Sequence, residues 1–147
     1  MRQTGPMETM TDSEWRAFVM EGTRTGKAAV TRKDGTPHVT PIWFALDGDD
    51  LLFNTGRQSV KGRVLARDPR LSVCVDDQTP PYSYVLIQAE ASLVEDLDEV
   101  LRWATVIGGR YMGADRAEEF GRRNAVPTEY LVRARITKVI AERAIAG

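Results

Sequence analysis

A chain of 147 residues, 42% hydrophobic and 28% charged, has the size and balance of one globular domain with its own core. Twenty Lys plus Arg stand against twenty-one Asp plus Glu. The net charge of −1 gives no bulk field for nucleic acid or a membrane surface, so any anion binding must come from a local patch. A single cysteine excludes an internal disulfide and fits a reducing, cytoplasmic setting, and with a single histidine it leaves too few ligands for a protein-only transition-metal site.

Residues 1–10 carry no apolar signal-peptide core and read as a flexible arm ahead of one domain over 11–147. No apolar run approaches the roughly 20 residues that span a bilayer. Thr11-Asp-Ser-Glu14 is a capping box, and Trp15, Phe18 and Val19 follow at helical spacing, predicting a short amphipathic helix that ends near Gly22. Thr25 to Thr31 reads as a strand, and Lys33-Asp-Gly35 as the turn after it. His38 to Leu46 alternates as a second strand. Pro41 lacks a donor for the ladder, so this strand belongs at an edge or carries a bulge there.

A third strand, Leu51 to Thr55, runs into Asn54-Thr-Gly-Arg-Gln-Ser-Val-Lys-Gly-Arg, the most informative stretch of the chain. Ser59 stands as the N-cap of a short basic helix closed by Asp68-Pro69. Arg57, Lys61 and Arg63 crowd its N-terminal end, beside the hydroxyls of Thr55 and Ser59. Helix N-termini present unpaired N–H groups and partial positive charge, so this end is a candidate phosphate seat. A solvated basic turn is the plain alternative, and it applies above all to Arg63 and Arg67.

Leu71 to Val75 alternates as a fourth strand, and Tyr82 to Val94 as a long fifth one. Asp96 opens a helix with Leu97, Leu101, Ala104 and Ile107 on one stripe, ending near Gly108-Gly109 or Gly113. A further helix spans 114–124 and stops before Pro127. Tyr130 to Ile140 is the last strand, with Val132, Ala134 and Ile136 inward. Early hairpins and no regular strand–helix alternation predict a mainly β, antiparallel sheet closed into a barrel with flanking helices.

Several chemistries are absent from the sequence. There is no dinucleotide fingerprint, P-loop or nucleophile elbow. His38 is the only imidazole and reads as a solvent-facing strand residue. Cys74 reads as a small packing residue in a strand. No catalytic side chain is identified. Anion binding beside an apolar, aromatic-bearing barrel suits a bound cofactor that carries the chemistry itself.

Three segments together resemble the split β-barrel flavin and deazaflavin oxidoreductases, relatives of pyridoxamine 5′-phosphate oxidase. They are Thr23-Arg-Thr-Gly-Lys-Ala-Ala-Val-Thr31, Asp34-Gly-Thr-Pro-His-Val-Thr-Pro-Ile-Trp-Phe44, and Ser59-x-Lys61-x-x-x-Leu65-x-x-Asp68-Pro-Arg70. The resemblance runs from about residue 12 to residue 141. Arg110-Tyr-Met-Gly-Ala-Asp-Arg116 and Gly121-Arg-Arg-Asn-Ala-Val-Pro127 look like the actinobacterial branch that uses coenzyme F420.

The resemblance implies a homodimer with cofactor between subunits, and F420, or alternatively FMN, as that cofactor. By the same resemblance Ser59 and Lys61 hold its phosphate with help from Thr55 and Arg57, and Val39, Thr40, Pro41 and Trp43 line its ring. Tyr82 approaches the partner subunit's cofactor, with Trp103 and Tyr111 as weaker candidates near the substrate mouth. Trp103 also reads as helix core or dimer packing. The glutamate tail of F420 could meet Arg24, Lys27, Arg32 or Lys33. The implied activity is hydride transfer to an unsaturated or quinone-like small molecule, or else non-catalytic cofactor carriage. The C-terminal arginine and histidine pattern of pyridoxamine phosphate oxidase is not recognisable, which speaks against vitamin B6 oxidation.

Overall fold

A computed structural model describes residues 8–147. The elements are β1 (Glu8–Thr9), α1 (Asp12–Met20), β2 (Gly26–Thr31), β3 (Pro37–Ile42), β4 (Ala45–Asp47), β5 (Asp50–Gly56), α2 (Val60–Arg67), β6 (Arg70–Asp77), β7 (Ser83–Val94), α3 (Leu97–Met112), α4 (Ala117–Asn124) and β8 (Glu129–Arg143), with a single 3-10 turn at Ala114–Arg116.

Eight strands form one antiparallel sheet, ordered β3-β2-β6-β7-β8-β5-β4, with β1 added alongside β8. Residues from most of these strands meet in one interior cluster, including Val30 of β2, Ile42 of β3, Phe53 of β5, Val73 of β6, Ile87 of β7 and Val132 of β8. The sheet therefore coils around its core while β3 and β4 remain unpaired with each other, giving the split antiparallel architecture.

Both faces of β5 are covered, which explains its continuous apolar run. Leu51 and Phe53 enter the interior cluster, whereas Leu52 joins Ala45, Leu131, Val100, Trp103 and Ile107 in a second cluster beneath α3. Each such large apolar side chain contributes roughly 1.5–3 kcal/mol on full burial. Helix α3 is pinned to the outer face by this second cluster. Helix α4 crosses it closely: a Cβ on Gly108 would lie 2.6 Å from the Phe120 Cβ, and one on Gly121 would lie 2.1 Å from the Thr105 Oγ1.

Most local expectations are met. Glu14 and Thr11 form the reciprocal capping box, and Gly35 takes the positive φ of its turn. The strand carrying Pro41 is indeed an edge, with Pro41 opposite Lys27 of β2.

Three expectations are corrected. The strand over 38–46 is broken at Trp43–Phe44. There the backbone of Phe44 bonds to side chains of α3 instead of a neighbouring strand: its N–H donates to the Tyr111 hydroxyl (3.3 Å), and its carbonyl accepts from Arg110 (2.6 Å). The buried stripe of α3 is Val100, Trp103, Ala104 and Ile107, while Leu97 and Leu101 face outward. Glu8 and Thr9, assigned to the arm, pair with Arg143 and Glu142, and Met10 is buried; the rest of the arm lies outside the described residues.

Candidate functional site

The turn from β5 into α2 is built by local chemistry. The Ser59 hydroxyl accepts from the Gly62 N–H (3.0 Å), capping the helix, and lies 2.7 Å from the Gly56 carbonyl and 3.0 Å from the Thr55 Oγ1. Gly62 is obligatory here, because a Cβ would sit 2.1 Å from the Gly56 carbonyl oxygen. The turn is thereby drawn tightly against the strand end, and the first N–H groups of α2 keep no intrahelical partner.

Lys61, in the first turn of α2, reaches back to edge strand β3, where its Nζ donates to the Thr40 Oγ1 at 2.6 Å. Burial pushes its pKa below the ordinary lysine value, and no charged neighbour contributes to the shift. A half-buried cation with no ion-pair partner among the described residues is set up to receive an anion from outside the chain.

A cavity of about 260 Å³ opens between β3, β5, the start of α2 and the α3–α4 pair. Pro41, Ile42, Trp43, Ile107 and Phe120 supply its apolar wall, and Asn54, Lys61, Asn124 and Glu129 are its polar members. The Trp43 ring is held from behind by Tyr111 (centroids 5.1 Å apart) and is tilted against Phe120 (5.8 Å, 58°). Tyr111 is itself fixed, its hydroxyl donating to the Arg24 carbonyl at 2.7 Å. Arg110 ties the same end of α3 to the chain, donating to the carbonyls of Val19, Gly22 and Phe44.

The expected site residues divide into three sets. Thr40, Pro41, Trp43 and Lys61 come together at the cavity mouth, next to Val39, which is 58% exposed on the edge strand. Thr55 and Ser59 sit within the turn and shape it from inside, with Thr55 buried. Arg57 turns the other way, into an ion pair with Glu95 and over the Tyr130 ring at 4.7 Å. Tyr82 is 44% exposed in the loop before β7 and does not line this cavity.

Among the cations considered for an acidic tail, Lys27 pairs with Asp76 (2.9 Å) and Arg24 lies 3.4 Å from Glu21. Arg32 contacts the Thr36 hydroxyl and the His38 Nδ1. Trp103 is buried in the helix-side core rather than at the mouth.

Sequence reasoning assigned no role to Asn54, Phe120 or Glu129. For Asn54 a signal was present: an amide that directly follows the apolar run Leu51-Leu-Phe53 within the same strand. Burial raises the Glu129 pKa above the ordinary carboxyl value, and its Oε2 and the Asn54 Nδ2 are buried without a hydrogen-bond partner.

The comparisons with known proteins agree with this architecture. The chain superposes on the conserved hypothetical protein Rv2991 from Mycobacterium tuberculosis with a TM-score of 0.83 and 26% identity, covering 98% of this chain and 91% of that one. An F420 reductase matches at a TM-score of 0.66 and 25% identity over 84% of this chain and 94% of that one. A FAD-binding protein from Mesorhizobium loti shares the fold at a TM-score of 0.69 and 19% identity, covering 94% of this chain and 98% of that one. No curated protein matches. The profile of the pyridoxamine 5′-phosphate oxidase family matches residues 11–141, and the chain belongs to that family.

Proposed function

We propose that the protein is an F420-dependent reductase whose physiological substrate is an unsaturated or quinone-like small molecule. The observation that carries this reading is Lys61, a half-buried cation beside the edge strand that bears exposed Val39 and Pro41, with no ion-pair partner among the described residues. The family is one of oxidoreductases that hold a flavin-type ring with a phosphate, and the residues present fit such a group.

Lys61 and the first N–H groups of α2 would take the phosphate, with Thr40 orienting the lysine. Val39, Pro41 and Trp43 would face the ring and exclude water from it. Arg57 joins the phosphate set only by exchanging Glu95 for it. Tyr82, away from this chain's cavity, is assigned to a second subunit's site in a homodimer.

When bound, reduced F420 supplies a hydride from its C5. The protein's own task is then proximity, alignment and dryness, so the lack of a nucleophile–base pair is expected. FMN is the alternative cofactor, because it presents the same ring-plus-phosphate pattern; the FAD-binding relative supports keeping it. The acidic tail of F420 adds a preference that Arg32 and Lys33 could supply, since Arg24 and Lys27 are held in ion pairs with Glu21 and Asp76 whereas Arg32 only lies near Asp34.

The test is a fluorescence titration of the purified protein with F420 and with FMN at low and moderate salt. Tight, salt-sensitive F420 binding with weak FMN binding is expected. Preferential FMN binding would transfer the protein to the flavin branch. Cofactor binding without oxidation of the reduced form by any acceptor in a broad panel would make it a carrier.

A further inference from the structure

Helix α1 carries no basic residue in its last turn to meet the partial negative charge of its carbonyl end. The cation comes instead from the far end of α3. Arg110 donates through Nη2 to the Val19 carbonyl (2.7 Å) and through Nε to the Gly22 carbonyl just beyond the helix (2.9 Å). Its Nη1 donates to the Phe44 carbonyl at 2.6 Å, inside the break between β3 and β4. One guanidinium therefore ties the end of α1 to the residue that follows Trp43.

Among the described residues no carboxylate pairs with Arg110. Its remaining neighbours are the Arg24 carbonyl (3.5 Å), the Met20 Sδ (3.4 Å) and the rings of Phe44 and Tyr111, 4.7 and 4.8 Å from the guanidinium carbon. Burial pushes its pKa down, so a charge is costly here unless its donors are met. A planar fork meets carbonyls on two sides at once, and a compact ammonium lacks that reach. An anchor for α1 alone would need only the Val19 and Gly22 bonds, yet the shortest of the set goes to Phe44.

We propose that Arg110 is a positioning residue for the cofactor ring: its clamp on the Phe44 carbonyl fixes the strand break and so sets the face that Trp43 turns toward the cavity. This rests on the ring-binding reading of that cavity. Tyr111 supports the indole from behind by stacking, whereas Arg110 holds the backbone from which the indole projects. The Phe44 N–H meets the Tyr111 hydroxyl at 3.3 Å, so the carbonyl bond to Arg110 is the firmer restraint on the break.

The experiment compares the wild-type protein with Arg110→Met, which keeps the aliphatic stem, and Arg110→Lys, which keeps the charge without the fork. The first readout is acrylamide quenching of Trp43 in ligand-free protein, taken as the difference between each protein and its Trp43→Phe counterpart. The second is affinity for two probe pairs by fluorescence titration: F420 with its phosphate-free deazariboflavin core, and FMN with riboflavin. Each pair shares a ring, and only its first member carries phosphate.

In both variants Trp43 quenching should rise. Both members of the pair that the wild type binds should weaken by the same factor, roughly tenfold, through lost preorganisation. A purely structural Arg110 would lower the melting temperature and move neither readout, and that result in a folded variant would overturn the proposal while leaving the cofactor reading intact. Loss confined to the phosphate-bearing probes would overturn it too, by making the effect one of charge at the phosphate. Wild-type behaviour of Arg110→Lys would show that charge suffices without the fork, and would overturn it as well. If Arg110→Met does not fold, Arg110→Lys decides by the same criteria. Wild-type protein that binds no probe would overturn the cofactor reading and the ring assignment together.

Discussion

The Trp43 indole lies flat on the Tyr111 ring, with centroids 5.1 Å apart and planes 6° from parallel. Tyr111 also accepts from the Phe44 N–H and donates to the Arg24 carbonyl, so one side chain of α3 both supports the cavity wall and satisfies the broken strand behind it. Tyr111→Phe keeps the stack and removes the hydroxyl, which should cost about 1–2 kcal/mol in urea denaturation. Tyr111→Ala removes the stack as well and should cost more, roughly 3–5 kcal/mol. If Trp43 faces the cofactor ring, the alanine variant should also bind cofactor more weakly than the phenylalanine variant. Equal affinities in two folded variants would remove Trp43 positioning from the account of binding.

Lys61 offers a sharper separation of stability from function. Its folded pKa is lowered by burial, so the charged form is disfavoured by folding and its contribution worsens as pH falls through the folded value. Lys61→Met retains the aliphatic stem and removes the desolvated charge, so the ligand-free melting temperature should stay level or rise, even though the bond to Thr40 is lost. Affinity for a phosphate-bearing cofactor should fall roughly ten- to hundredfold, as for loss of a charge-assisted hydrogen bond. A folded Lys61→Met protein with wild-type affinity for both F420 and FMN would refute the phosphate seat.

What the sequence disclosed, and what it hid, follows from the range of the interactions. The Ser59 cap, the Thr11–Glu14 box and the edge position of Pro41 depend on residues a few places apart or on one residue's missing donor, and all three were legible. The α3 stripe was not, because Leu97 and Leu101 form one helical stripe and Val100, Trp103 and Ile107 another. Only the location of Leu52 and Leu131 beneath the second stripe decides which faces in. The break at Trp43–Phe44 was hidden for the same reason, since its backbone partners, Arg110 and Tyr111, come from a distant helix. Asn54 and Glu129 meet only through the β5–β8 register, so neither looked special when read along the chain.

Gly62 is the point at which fold and site are most tightly coupled. It lies between the Ser59 cap and the strand end, where an added methyl would overlap the Gly56 carbonyl at 2.1 Å and approach the Arg57 carbonyl at 3.1 Å. Neither contact is with a flexible side chain, so relief requires moving α2 away from β5. Gly62→Ala should destabilise the protein by about 3 kcal/mol, at the upper end for overpacking and despite alanine's better helix propensity. Lys61 would move with the helix, so cofactor affinity should fall along with stability. Denaturation and titration of the same preparation check both, and a Gly62→Ala protein as stable as wild type would show that the turn is looser than its geometry indicates.

Asp68 closes the same helix and gives it an acid-sensitive end. Hydrogen bonds from the Arg70 side chain and backbone hold its carboxyl at a pKa of about 2, against an ordinary value of 3.8. A folded pKa below the unfolded one means that the stabilisation is fully present above about pH 4 and is lost as pH falls from there through about 2. Asp68→Asn should therefore be less stable than wild type at pH 7, and the difference should shrink steadily between pH 4 and pH 2. Paired denaturation curves across that range check the linkage directly, and a carboxyl titration of the folded protein by NMR checks its cause. A difference that stays constant down to pH 2 would mean that the aspartate acts through its backbone turn and not through the ionised carboxylate.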